Sequence, residues 1–168
     1  MIRTTAWCPA CIGLGSNLDD PARQIGAALK ELARVADTRV HCVSSLYRNP
    51  PLGPQDQPDY INAVAAVLTR LAPHALLHAL QEIEHRQGRV RDAQRRWGPR
   101  RIDLDILTYG SRVVVEDDLT IPHPGIPERN FVLFPLLEIA PDLQLPGLGS
   151  VRSLASRVDG STLERLAP

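Results

Sequence analysis

Arg96-Trp97-Gly98-Pro99-Arg100-Arg101-Ile102-Asp103-Leu104-Asp105-Ile106-Leu107 is an arginine-rich loop that runs straight into a strand. In that strand Ile102, Leu104 and Ile106 take one face, and Asp103 and Asp105 take the other. Side chains two apart point the same way, so the two carboxylates stand side by side with Cα atoms roughly 7 Å apart. Aspartate is a poor strand residue, and two like charges on one face repel. One or two hard cations would remove the repulsion; magnesium prefers carboxylate oxygens and shares them with phosphate groups. Guanidinium forks match phosphate oxygens. Asp-x-Asp by itself reads best as the solvated face of an edge strand. Here seven arginines lie between Arg86 and Arg101. So many cations just ahead of two carboxylates point to a charged ligand.

Upstream, residues 73–88 read as a helix opened by Pro73, with Leu76, Leu77, Leu80 and Ile83 on one face and Gln81 and Glu84 on another. Residues 60–68 form a strand that is apolar on both faces, which puts it in the middle of a sheet. Residues 48–58 hold four prolines and a glycine, a long loop of the kind that carries function. Residues 39–47 are strand-like. Before them Ile25, Ala28, Leu29, Leu32 and Ala36 recur at helical spacing, after Asp19 or Asp20 as cap and Pro21 in the first turn. Residues 11–14 make the first strand. Gly13-Leu14-Gly15-Ser16-Asn17 reads as a tight turn out of it, and Leu18 stands where a dinucleotide fingerprint needs its third glycine.

Downstream, residues 109–112 turn the chain into Val113-Val114-Val115 as a hairpin. Residues 116–130 are a second long loop, 131–139 a short helix interrupted by Pro135, and the chain from Ser150 onward a weakly amphipathic tail. The order strand, helix, strand, strand, helix, strand predicts a ferredoxin-like βαββαβ α+β sandwich with an added hairpin and C-terminal helix.

The bulk numbers are those of a soluble globular protein, 43% hydrophobic and 23% charged over 168 residues, and imply one domain spanning 1–168. Net charge is zero, so no global field draws nucleic acid or a membrane. No apolar run is long enough to span a bilayer and no secretory signal opens the chain, which places the protein in the cytoplasm. Cys8, Cys11 and Cys42 are expected as reduced thiols. Trp7-Cys8-Pro9-Ala10-Cys11 has the spacing of a thiol oxidoreductase, but that chemistry wants a strand before the first cysteine and a helix after it. Here the pair reads as the ragged start of a strand.

These residues resemble the 6-hydroxymethyl-7,8-dihydropterin pyrophosphokinase family of folate biosynthesis. The resemblance covers about residues 11–146. Its most specific block is Arg96-Trp97-Gly98-Pro99-Arg100-x-x-Asp103-Leu104-Asp105-Ile106. Four more blocks follow the family order: Gly13-Leu14-Gly15-Ser16-Asn17; residues 50–60 with Pro50, Leu52 and Tyr60; Gly88-Arg89-Val90-Arg91; and Pro122-His123 with Arg129 and Phe131.

The resemblance implies an ATP-dependent diphosphotransferase that moves pyrophosphate from ATP to the pterin hydroxymethyl group and releases AMP. It implies that Asp103 and Asp105 hold two Mg²⁺ ions, and that Arg89, Arg91, Arg100, His123 and Arg129 bind the phosphates. Gln81, Glu84, Arg96 and Trp97 would lie at the nucleotide, and the backbone near Ile106 and Thr120 would face adenine. Tyr60 and Phe131 would sandwich the pterin and Asn62 would read its edge. Asn49, Pro50 and Leu52 would add backbone contacts, with Gly15 lining the pocket. A flat heteroaromatic ring does need two ring faces and an amide, and a transferring phosphoryl group needs cations more than covalent chemistry. Two departures stand out. Pro124 follows the histidine where the family often has an aromatic. The segment between Arg91 and Trp97 is one residue longer than the family usually has, leaving Arg95 and Arg96 both open to the role before the tryptophan. The implied partners are ATP and the pterin alone, with no nucleic acid or membrane, in a monomer or a dimer.

An RNA-recognition module shares the strand order and is the alternative class. It would need aromatics interleaved with basic residues on the sheet, and aromatics are 4% here. A P-loop kinase is excluded, because its glycine-rich motif is missing and the single lysine, Lys30, lies in the first helix.

Overall fold

The computed structural model describes residues 3–89 and 98–167. Strand β1 is Arg3–Ser16, followed by helix α1 (Pro21–Leu32), strands β2 (Thr38–Val43), β3 (Tyr47–Asn49) and β4 (Tyr60–Leu71), helix α2 (Pro73–Arg86) and strand β5 (Asp103–Tyr109). β4 pairs with β1 on one side and with β2 and β3 on the other, and β1 pairs with β5, all antiparallel. This is the ferredoxin-like arrangement.

Both long helices start where local chemistry sets them. Asp20 caps α1, accepting the Arg23 N–H at 3.3 Å, with Pro21 in the first turn. Pro73 opens α2, where the missing N–H costs nothing. The helices bury Ile25, Ala28, Leu32, Leu76, Leu80 and Ile83 against Ile12, Leu104 and Ile106 of the sheet. The other sheet face is covered by α3 (Asn130–Ile139) and α4 (Val151–Ala155), through Leu133, Leu136 and Val151 packed with Cys11, Val64 and Leu107.

Several expectations need correction. β1 begins at Arg3, well before residue 11, so Cys8 and Cys11 lie inside a strand. Cys8 packs on the α1–α2 side and Cys11 is buried on the other, so they face apart and cannot act as a pair. The strand expected over 39–47 breaks at Ser44, whose hydroxyl accepts the Val64 N–H at 3.0 Å in place of a ladder carbonyl. Val114–Val115 does not pair with β5. It forms β6, paired with β7 (Thr120–Ile121) from within the second long loop. Pro135 does not end α3, whose buried face holds the helix across it. A short pair, β8 (Gln144–Leu145) and β9 (Gly149–Ser150), precedes α4. Finally, Glu164–Arg165 forms β10 on the edge of β3, and the Leu166 N–H donates to Leu46 O at 2.8 Å. Two residues are too short for a periodic signal.

Ile25 is fully buried in the core under α1 and does not line the cavity described below. Ile25→Ala is expected to lower unfolding stability by about 2–5 kcal/mol, read by urea denaturation. A loss below about 1 kcal/mol would contradict this packing.

Candidate active site

The site is built on an absence of side chains. Gly13 and Gly15 lie in β1, not in a turn after it. Gly13 sits opposite Val64 of β4 and Asp105 of β5, and Gly15 sits opposite Asn62 and Asp103. Directly paired residues share a face, so β1 leaves a bare floor between Asn62 on one side and the two aspartates on the other. A cavity of about 440 Å³ stands over it. A Cβ on Gly15 would come 2.7 Å from Asn62 Oδ1, and one on Gly13 would come 3.3 Å from Leu107. The turn reading missed this, because alternate glycines in a strand strip one face only.

β5 delivers the acids with a bulge. Cys11 pairs with Thr108 and Ile12 with Ile106, leaving Leu107 as the extra residue. Asp103 is held by Arg89 at 2.7 Å and by Arg100. Glu84 lies behind it on α2, only 3% exposed. Its Oε1 accepts the Leu104 N–H at 2.7 Å and pairs with Arg89. Burial pushes Glu84 above the usual carboxylate range, against the Arg89 charge. Asp105 opens toward the cavity with a side chain 42% exposed. Burial, then the charges of Asp103 and Glu84, push its pKa up to about 7. The repulsion expected between the two aspartates therefore falls unequally: arginines quench Asp103, and Asp105 carries the strain.

His123 reaches in from the loop after β7, with Nε2 3.9 Å from Asp105. Burial and Arg129 push its pKa down to about 4. Nδ1 accepts the Gly125 N–H at 3.0 Å, so the neutral ring carries its proton on Nε2, a donor aimed at the acid side. The Arg129 guanidinium lies 5.9 Å from the Phe131 ring centre. On the opposite wall Asn62, buried, donates to Asn49 Oδ1 at 2.5 Å, and Asn49 donates to Pro50 O at 2.9 Å. The Tyr60 hydroxyl donates to Gly98 O at 3.0 Å.

Of the residues singled out in the sequence, Gly15, Asn49, Leu52, Tyr60, Asn62 and Phe131 line this cavity, as do Gln81, Glu84, Arg89, Arg100, Asp103, Asp105, His123 and Arg129. Pro50, Ile106 and Thr120 do not line it, and the Ile106 side chain is in the core. Arg91, Arg96 and Trp97 lie outside the described residues. Gly13, Gln57, Leu77 and Asp118 also line the cavity and were not singled out. Gly13 was legible from the Gly-x-Gly spacing on a strand. Asp118 had no signal, being one acid in an exposed loop. Asp118 and Glu116 also meet His74 Nε2, at 3.2 and 3.3 Å, an exposed stitch between the β6–β7 hairpin and the start of α2.

Together these describe a ferredoxin-like α+β protein whose cleft offers hard carboxylate oxygens and guanidinium groups to one ligand. A family model described as 7,8-dihydro-6-hydroxymethylpterin-pyrophosphokinase (HPPK) matches residues 11–141. The chain is 48% identical over 159 residues to the 2-amino-4-hydroxy-6-hydroxymethyldihydropteridine pyrophosphokinase of Haemophilus influenzae, covering 95% of this chain and 98% of that one. It is 49% identical over 155 residues to the Pseudomonas aeruginosa protein of the same name, covering 92% and 94%. Among solved structures, wild-type Plasmodium falciparum HPPK-DHPS with pteroate matches with a TM-score of 0.71 at 13% identity, over 90% of this chain and 44% of that one, a likeness of fold. The chain belongs to the 7,8-dihydro-6-hydroxymethylpterin-pyrophosphokinase family.

Asp105 and His123 give the ligand-free protein opposed pH dependences. Asp105 is raised, so its contribution to stability is full below about pH 4 and is lost as pH rises through about 7. His123 is lowered, so its contribution is present above about pH 6.5 and is lost as pH falls through about 4. Asp105→Asn removes the first alone. The ligand-free variant should gain melting temperature relative to wild type as pH rises from about 4 to about 7. A difference that stays constant with pH would contradict the raised Asp105.

Proposed function

We propose that this cleft carries the family's pyrophosphoryl transfer, with the acid pair and arginines on the phosphates and the Tyr60–Asn62–Phe131 wall on the pterin. The chain is a pyrophosphokinase of folate synthesis, moving pyrophosphate from ATP to the hydroxymethyl group of 6-hydroxymethyl-7,8-dihydropterin and releasing AMP. The observation that carries the assignment of roles is the glycine floor, with an amide and ring wall on one side and two carboxylates among arginines on the other.

The donor set fits magnesium. Two hard carboxylates share a strand face, and the one without an arginine salt bridge among the described residues is pushed toward neutrality by burial and its neighbours' charge, which is how a site waiting for a cation behaves. Asp103 and Asp105 would hold two Mg²⁺ ions, which when bound supply charge for the phosphates and a lowered pKa for the pterin hydroxyl. Arg89 and Arg100 exchange Asp103 for phosphate oxygens when the nucleotide enters. His123 offers its Nε2–H to a phosphate without needing to be protonated. Arg129, set beside Phe131, reaches the phosphates from the pterin side. Glu84 acts from behind, fixing Arg89 and the Leu104 amide that separates the two aspartates. Arg91, Arg96 and Trp97 contribute to the nucleotide by resemblance, as do Gln81 and the backbone at Ile106 and Thr120. Tyr60 and Phe131 take the two faces of the pterin, Asn62 its edge, and Gly15, Asn49, Pro50 and Leu52 its surroundings.

The pterin hydroxyl attacks the β-phosphorus, AMP leaves, and the γ-phosphate travels with the transferred group. More negative charge moves than in γ-transfer, and the spread of Arg89, Arg100, Arg129 and His123 suits it. The protein acts as one cytoplasmic domain, a monomer or a dimer, without nucleic acid. Among the described residues no helix is long and apolar enough to cross a membrane.

Incubation with Mg·ATP and the reduced pterin should give AMP and a pterin diphosphate by chromatography. ADP with a pterin monophosphate would overturn the β-phosphorus assignment. Asp103→Asn and Asp105→Asn should each lose on the order of 10²-fold or more in kcat. Their ligand-free melting temperatures should diverge: Asp105→Asn no lower than wild type, Asp103→Asn lower, because Arg89 and Arg100 lose an ionised partner. Near wild-type turnover in both would sink the metal roles.

A further inference from the structure

Asn17, the last residue of Gly13-Leu14-Gly15-Ser16-Asn17, has no role in the chemistry above, yet both walls of the cleft meet on it. It is 2% exposed. Its Nδ2 donates to Pro58 O at 3.0 Å and to Gln57 Oε1 at 3.1 Å. Its Oδ1 accepts the Arg100 N–H at 2.8 Å, and its own N–H donates to Arg100 O at 3.0 Å. Donor and acceptor partners sit at opposite ends of the amide, so the side chain cannot turn over without losing all three bonds.

The two anchored segments lead to different substrates. Gln57 and Pro58 close the proline-rich loop and run into Tyr60, on the ring wall. Arg100 borders the phosphate side and runs into Asp103. Bonds to an enclosed amide are costly to leave unmade, so Arg100 and Pro58 are held in fixed relation. The Tyr60 hydroxyl on Gly98 O ties the same two segments a second time.

We propose that Asn17 is a positioning residue that couples the two substrate subsites. Nucleotide held by Arg100 fixes the Arg100 backbone, Asn17 passes that order to Gln57 and Pro58, and the ring wall is set for the pterin before it arrives. Linkage makes the effect mutual: each substrate raises the affinity of the other by the same factor. The proposal rests on the pyrophosphokinase reading.

The test is calorimetry of pterin binding with and without a non-hydrolysable ATP analogue and Mg²⁺, and of the analogue alone. The ratio of the two pterin dissociation constants is the coupling factor, on the order of 5–150 for coupled sites. Asn17→Asp keeps the acceptor for Arg100 and loses both donors to the pterin loop. Its coupling factor should fall toward 1, while analogue affinity alone changes far less. Gln57→Ala, which cuts one donor arm from outside, should lower the factor partway and serves if Asn17→Asp fails to fold. A folded variant with wild-type coupling overturns the proposal, as does a wild type that binds both ligands without coupling. A residue that is merely structural would weaken both binary affinities in parallel and leave their coupling intact, which also counts against it. A wild type that binds neither ligand would instead remove the pyrophosphokinase reading beneath it.

Discussion

Three carboxylates crowd one end of β5, and the cleft is arranged around their charge. Glu84 is buried behind the strand, Asp103 is held by Arg89 and Arg100, and Asp105 is left facing the cavity with its pKa pushed up to about 7. A fold selected for stability alone would not keep this arrangement, since buried like charges are expensive. It becomes favourable when cations and phosphates enter together, because the same arginines that quench Asp103 match phosphate oxygens. The ligand-free site is thus a set of ion pairs with interchangeable partners.

The glycine floor makes the arrangement usable. With side chains at positions 13 and 15, β1 would fill the space between Asn62 and the aspartates. Without them, two ligands of different chemistry can lie side by side on one sheet face, a flat ring against the amide wall and a polyphosphate against the acids. The helices α1 and α2 pack on the reverse face, whereas the core under α3 and α4 lies on the same face as the cleft and borders it through Val64 and Leu107. From the α2 side Leu77, Gln81 and Glu84 reach the cavity.

Much of this was legible in the sequence, and the misses have physical reasons. The alternation from Ile102 to Ile106 gave both the strand and the shared face of Asp103 and Asp105, because a period of two leaves no other choice. The order of helices and strands gave the sheet topology. Gly13 and Gly15 were misread as a turn because glycine marks turns more often than bare strand faces. The pairing of β6 with β7 was missed because two-residue strands carry no period, and β10 was missed for the same reason. Ser44 breaks a strand through its side chain, a hydrogen bond that composition does not reveal. Asp118 reaches the cavity only through the β6–β7 hairpin, so nothing local marks it. Asn17 was visible as part of a motif, but its work depends on three segments meeting in space.

The central claim is that Asp103 and Asp105 bring nucleotide and protein together through hard cations. The direct measurement is calorimetric affinity for a non-hydrolysable ATP analogue, titrated with Mg²⁺ and with a chelator, in wild type and in the Asp103→Asn/Asp105→Asn double variant. The account predicts strong binding in wild type that collapses when Mg²⁺ is chelated, and weak binding in the double variant that Mg²⁺ barely changes. Equal affinity with and without Mg²⁺ in wild type would contradict it and leave the arginines as the whole of the nucleotide site.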